Sequence, residues 1–200
     1  MEAFAIFLSV LLGFAVAEWR DGRDDAALRR SALDAFAQEI EANRARLVEY
    51  GTYHHWLVRQ LEAGQRDGSI QTLRDVFSVE GVDGFRPVDF SHTAWQTATT
   101  TGALALVGFD TASALSETYD AQTEVETEQD RLRVLGLDAL TSEDPPPAAE
   151  FTLLSTEFLS LEQGLLDRMN AALVAVAEAQ GKASPPPVPV DTLRRDDFVP

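Results

Sequence analysis

Three histidines, His54, His55 and His92, are the side chains of this chain whose ordinary pKa lies near neutrality. His54 and His55 are adjacent, so on a helix they point about 100° apart and do not form the i, i+4 pair a metal takes. A metal role would need distant acids to converge, and nothing in the spacing asks for it. All three read as interfacial or capping histidines. The acids are densest at Asp120, Glu124, Glu126, Glu128 and Asp130. Steps of two scatter them around a helix, and the Glu-x-x-His ligands of di-iron bundles are absent. They read as a solvated face, with a docking surface for a basic partner as the functional alternative. No G-x-G-x-x-G, Walker loop, H-E-x-x-H or G-x-S-x-G occurs. There is no cysteine, which excludes disulfides, thiolate metal sites, Fe–S clusters and Cys nucleophiles. Ser91-His92 is a neighbour pair rather than part of a triad. No catalytic, metal-binding or cofactor-binding residue is expected.

The elements that would position these residues are helical. Leu28, Ala32, Phe36, Ile40, Asn43 and Leu47 share one stripe of a helix over 24–50. Gly51-Thr52 is expected to break it before Trp56, Leu57 and Leu61 resume the stripe. Gly22 is the expected kink upstream. Ile70 to Phe77 suits one or two turns, and Val79 to Asp89 a loop. Ser91 suits an N-cap for a helix bearing Trp95, Ala98 and Leu104 and ending near Gly102. Trp56 and Trp95 read as core anchors. Asp110 is expected to cap a long helix with Ala112, Leu115, Tyr119, Gln122, Val125, Gln129 and Leu132 on one stripe. Asp144-Pro145-Pro146-Pro147 stops it. Phe151 to Val176 repeats by three and four, and Gly181 ends that helix. No segment alternates long enough to make a sheet. The expected fold is all-α: an anchor over 1–19, a bundle of about four to five helices over 20–181 and a Pro-rich extended tail over 182–200.

Formal charge is −17, which disfavours nucleic acid and broad adsorption to anionic lipid. Lys182 is the only lysine among the basic residues, and this arginine bias suggests a GC-rich bacterial genome. Residues 3–17 carry no charge, and Glu18-Trp19-Arg20 follows. An uncharged run closed by Trp and Arg suits a helix that stops at lipid headgroups. Fifteen residues span only about 22 Å, and about 28 Å through Trp19, against a hydrocarbon core of roughly 30 Å. Thinning or neighbouring helices would relieve the mismatch. The rivals are a signal peptide ending at Ala15-Val16-Ala17, which lacks a basic n-region, and a core helix. Expected membrane contacts are Phe4, Phe7, Leu11, Phe14, Trp19, Arg20 and Arg23. Arginines on the C-terminal side only put the N-terminus outside and the domain in the cytoplasm.

The chain resembles uncharacterised bacterial single-pass membrane proteins with a short N-terminal membrane helix, a Glu-x-Trp-Arg junction and a helical soluble domain. The residues that carry this are Glu18-Trp19-Arg20, Glu39-Ile-Glu41-Ala-Asn43-Arg44, and Trp95 through Thr101-Gly-Ala-Leu104. The resemblance covers about residues 3–125, implies a membrane-anchored helical domain and carries over no catalytic residue. The expected role is a non-enzymatic accessory subunit bracing integral membrane proteins of a larger complex in the bacterial inner membrane, photosynthetic, respiratory or transport. Pro185, Pro186, Pro187, Pro189 and Phe198 are its expected partner contacts. The alternative is a membrane-anchored sensory or ligand-binding module.

Overall fold

The first amphipathic stripe winds into one helix rather than two. The computed structural model describes residues 2–82 and 84–194, with side chains from Glu18 onward. Helix α1 runs from Glu2 to Asp67 without interruption. Leu33, Phe36, Ile40, Asn43, Leu47, His54, Leu57 and Leu61 are all buried on it. The expected break at Gly51 does not occur, and the helix also continues through Gly22. A lone glycine costs a helix only about 1 kcal/mol, and at Gly51 the missing Cβ is needed. A Cβ there would lie 2.9 Å from Leu193 Cδ2 and within 3.8 Å of both Glu162 oxygens. The helix ends before Gly68, which takes the left-handed conformation at φ 80°.

Two short helices follow, α2 over Leu73–Val76 and α3 over Thr93–Thr101, then a 3-10 turn over Ala103–Leu106. Ser91 does not cap α3; the cap position is His92, and the Ser91 hydroxyl is used elsewhere. Thr99, Thr100 and Thr101 stay helical by donating back to the carbonyls of Trp95, Gln96 and Thr97. Helix α4 is Phe109–Thr141, with Gly108 at its cap and Asp110 inside the first turn, two residues past the cap position expected for it. Its predicted stripe from Leu115 to Leu132 is buried.

The Pro145–Pro147 stop turns the chain into α5, Ala148–Gln180. The start of α5 is pinned to the approach of α2: Leu73 N donates to Pro146 O, and Ala148 N to Gln71 O, both at 2.9 Å. Helix α5 is the central element. It packs along both α1 and α4, and Phe151, Phe158, Leu165, Leu166, Met169, Ala172 and Val176 are buried between them. Fully burying one such side chain is worth about 1.5–3 kcal/mol, so the α5 stripe is the main source of cohesion. Every regular element among the described residues is helical, so the fold is an all-α bundle.

The tail departs from expectation. Residues 182–189 carry no regular secondary structure, but Val190–Arg194 forms a 3-10 turn that packs on α1 and α5. Leu193 is fully buried. Up to Arg194, therefore, the tail is part of the bundle rather than a segment beside it. A side chain as apolar as Leu193 gains more by closing over Gly51 than by staying in water.

Candidate functional site

The expected membrane contacts divide into two groups. Phe4, Phe7, Leu11 and Phe14 lie on α1 but outside the residues whose side chains are described. Trp19, Arg20 and Arg23 are exposed, and the Arg23 guanidinium lies 4.9 Å from the centre of the Trp19 ring. Every residue from Glu18 to Ala27 is exposed, so this part of α1 is a stalk that leaves the bundle. Arg29 is not part of it: it donates to Leu106 O and Ala179 O and belongs to the bundle. Among the described residues, no helix is long and apolar enough to cross a membrane.

The expected partner contacts form a strap across the domain. Pro186, Pro187 and Pro189 are exposed and Pro185 is half-buried; Phe198 lies outside the described residues. Arg44 donates to Asn170 Oδ1 at 2.9 Å and to Pro186 O at 3.4 Å. Asn170 in turn accepts from Val188 N and donates to Val188 O. The prolines thus keep an outer face while the valine and leucine between and after them hold the strap down.

Beneath the strap lies a buried polar pair that the sequence pattern did not bring together. His54 Nδ1 is 2.8 Å from Glu162 Oε1, with the two side chains 2% and 0% exposed. His54 Nε2 is 2.7 Å from Arg86 O. A carbonyl can only accept, so Nε2 carries a proton, and the pair shares a second proton between Nδ1 and the carboxyl. The ring stacks on Phe85 at 4.7 Å and 5°, and meets the edge of Phe158 at 5.3 Å. Glu162 Oε2 is buried without a hydrogen-bond partner among the described residues. His55 is also buried. Burial first, then the charges of Arg194 and Arg59 and the nearby His54, push it down to about 4, so it is neutral at neutral pH. Both residues carried a signal. His54 falls three before Leu57, and Glu162 four after Phe158, each on an apolar stripe. The expected break at Gly51 hid the first, and the second is absent from the apolar repeat Phe151 to Val176 because it is an acid.

A second polar centre explains the Glu39 to Arg44 motif. The Glu39 carboxylate accepts from Ser91 Oγ at 2.6 Å, from Ala94 N at 3.0 Å and from Tyr119 OH at 2.7 Å. It therefore caps α3 from α1 and ties in α4. Partial burial opposes its charge, but these donors together with the Thr93 amide outweigh it and lower its pKa. Burial first, then the Glu39 bond and charge, raise that of Tyr119. One turn on, Asn43 accepts from Ser91 N and donates to Ser91 O. Gln129 makes the same two-bond clamp on Val88, and Asn170 on Val188. Three side-chain amides thus do for extended segments what a neighbouring strand would do. Glu39, Asn43 and Arg44 each hold a distant segment in place.

Near the far end of α1 is a cavity of about 170 Å³. Leu73, Val76, Phe77, Phe85, Leu140 and Phe151 supply its apolar wall, and Arg133 is the one charged residue among its described lining. The wall at Gly84 and Phe85 is tied to α1 three times: Tyr53 OH donates to Gly84 O at 2.5 Å, His54 to Arg86 O, and the Arg86 guanidinium sits 4.2 Å from the centre of the Tyr53 ring. Among the described residues, no group of three or more His, Asp or Glu side chains could hold a metal ion. His92, at the α3 cap, is instead paired with Glu126 at 2.9 Å.

No family model matches the chain, and neither does any curated protein or solved structure.

Proposed function

We propose that this chain is a non-enzymatic accessory subunit, tethered to the bacterial inner membrane through residues 3–17, that braces or positions components of a larger membrane protein complex. The observation that carries the reading is the stalk. Ten consecutive exposed residues, Glu18 to Ala27, separate the bundle from an uncharged run on the same helix. At 1.5 Å per residue they set the domain about 15 Å from that run. An apolar helix end carried away from its own core has two stable environments, lipid and the apolar surface of other helices. Exposed Arg20, Arg23 and Arg30 at the junction favour a cytoplasmic domain with the N-terminus outside. The polar side chains of the bundle support a bracing role, since Glu39, Asn43, Gln129 and Asn170 are used to fix one conformation.

Two experiments test this. The full chain should float with lipid vesicles and resist an alkaline wash. Leu8→Arg with Leu12→Arg should abolish both, because each arginine at mid-span costs about 2.5–3.5 kcal/mol of insertion. Recovery of the intact full chain in the aqueous fraction would overturn the tether. Gentle solubilisation of native membranes should co-purify integral membrane partners in fixed ratio, and a lone monomer would overturn the subunit.

A further inference from the structure

We propose that the cavity between α2, α4 and α5 binds a small carboxylic acid with a ring-sized or short-chain apolar body, the body inside and the carboxylate on Arg133. At about 170 Å³ the space is similar to engineered cavities of about 150 Å³ that hold a benzene ring. Its described lining is the usual composition of a small-molecule site, apolar walls with one charged side chain.

Tethers hold its walls, and two glycines line it. A Cβ at Gly84 would lie 3.7 Å from the Phe77 ring, and one at Gly136 would lie 4.0 Å from it, so Phe77 sits between two positions without side chains. Gly84 also has φ 109°, a conformation other residues rarely adopt. The three bonds and contacts from Tyr53 and His54 to Gly84–Arg86 hold the opposite wall in place, so the space exists before any ligand arrives.

The mouth points to the chemistry of the occupant. Leu137 and Leu140 line the cavity yet are 54% and 50% exposed, an apolar lip one helical turn apart. Arg133 is one turn earlier on the same helix. Among the described residues its guanidinium is held by Asp130 alone, at 3.3 Å on the exposed surface. A surface pair of this kind is weak, so a carboxylate anchored by its own apolar body can displace it. A purely apolar ligand would leave the charge unused, and a cation would meet it as a repulsion.

The probe is 4-fluorobenzoate, followed by its fluorine NMR line width. The full chain is held in lipid nanodiscs at about 0.15 M salt, where the acidic surface is screened beyond roughly 8 Å, with empty nanodiscs as reference. The line should broaden with the protein beyond the empty discs, and hexanoate should reverse it. Gly136→Leu, checked for native helicity, should abolish the effect by filling the space. Arg133→Gln should weaken 4-fluorobenzoate about tenfold and leave fluorobenzene unchanged. Asp130→Asn should tighten 4-fluorobenzoate by freeing the guanidinium. Absence of broadening, or unchanged broadening in folded Gly136→Leu, overturns the site. Equal behaviour of fluorobenzene and 4-fluorobenzoate in every variant overturns the carboxylate assignment. Neither result bears on vesicle flotation, so the cavity and the tether fail separately.

Discussion

Glu39 and Glu162 are both carboxylates inside the same bundle, and they are held in opposite ways. Glu39 is half-buried and receives the Ser91 and Tyr119 hydroxyls and the Ala94 and Thr93 amides. Glu162 is fully buried and has one histidine on Oε1 and, among the described residues, no partner on Oε2. The first is stabilised as an ion by donors that need no charge of their own. The second depends on one partner and on the proton they share. A polar group can therefore be kept inside a helical bundle either by saturating it or by pairing it, and the pairing is the more fragile solution.

The largest effect should come from breaking the pair. Glu162→Ala leaves His54 buried without its partner and should cost about 3–5 kcal/mol in denaturant unfolding of the full chain. His54→Phe together with Glu162→Met keeps the ring between Phe85 and Phe158 and should cost less than the single change. A double variant as unstable as the sum of the singles would show that the two residues are not coupled. Glu39→Ala should cost about 1.5–3 kcal/mol, because the Ala94 amide and the Tyr119 hydroxyl lose a charged acceptor. Glu39→Gln should recover part of it by keeping an oxygen in place.

Acid separates the two regions further. His55, beside the pair, has a folded pKa of about 4 against an ordinary 6.5. The unfolded chain takes up that proton first, so stability falls as pH drops from 6.5 to about 4 and this contribution levels off below. His55→Gln should flatten that window. Glu39 has a folded pKa below its ordinary 4.5, so its contribution is present above 4.5 and is lost as pH falls through the lower folded value. Stability measured against pH in the two variants should show the losses in different ranges. The smallest effect is expected from Lys182→Ala at the surface pair with Asp34, whose side chains are 60% and 54% exposed. It should change stability by no more than about 1 kcal/mol, and a larger loss would mean the strap depends on its first residue.

Much of the scaffold was legible. The stripes of α4 and α5 and the stops at Pro145–Pro147, Gly102 and Gly181 follow from periodicity and backbone preference, which act within a few residues. Gly51 shows where that reasoning gives way. Its local meaning is a weak point in a helix, and its actual use is to admit Leu193 and Glu162 from parts of the chain more than a hundred residues away. Ser91 shows the same: a good local cap, it spends its hydroxyl on Glu39 and leaves the capping of α3 to a carboxylate from another helix. Of the polar centres, the i, i+4 spacing of Glu39 and Asn43 already puts both on one face. The segment they hold, Ser91 to Ala94, is invisible in that spacing.

By itself, the order of residues determined the helical class, the uncharged leading run and the faces each long helix would bury, because propensity and solvation act on neighbours along the chain. Only the tertiary structure decided that α1 is unbroken, that the tail closes over His55 and Glu162, and that Arg133 stands at the mouth of an apolar space. Those outcomes depend on which distant surfaces meet, and the free energy of such a meeting belongs to both partners at once.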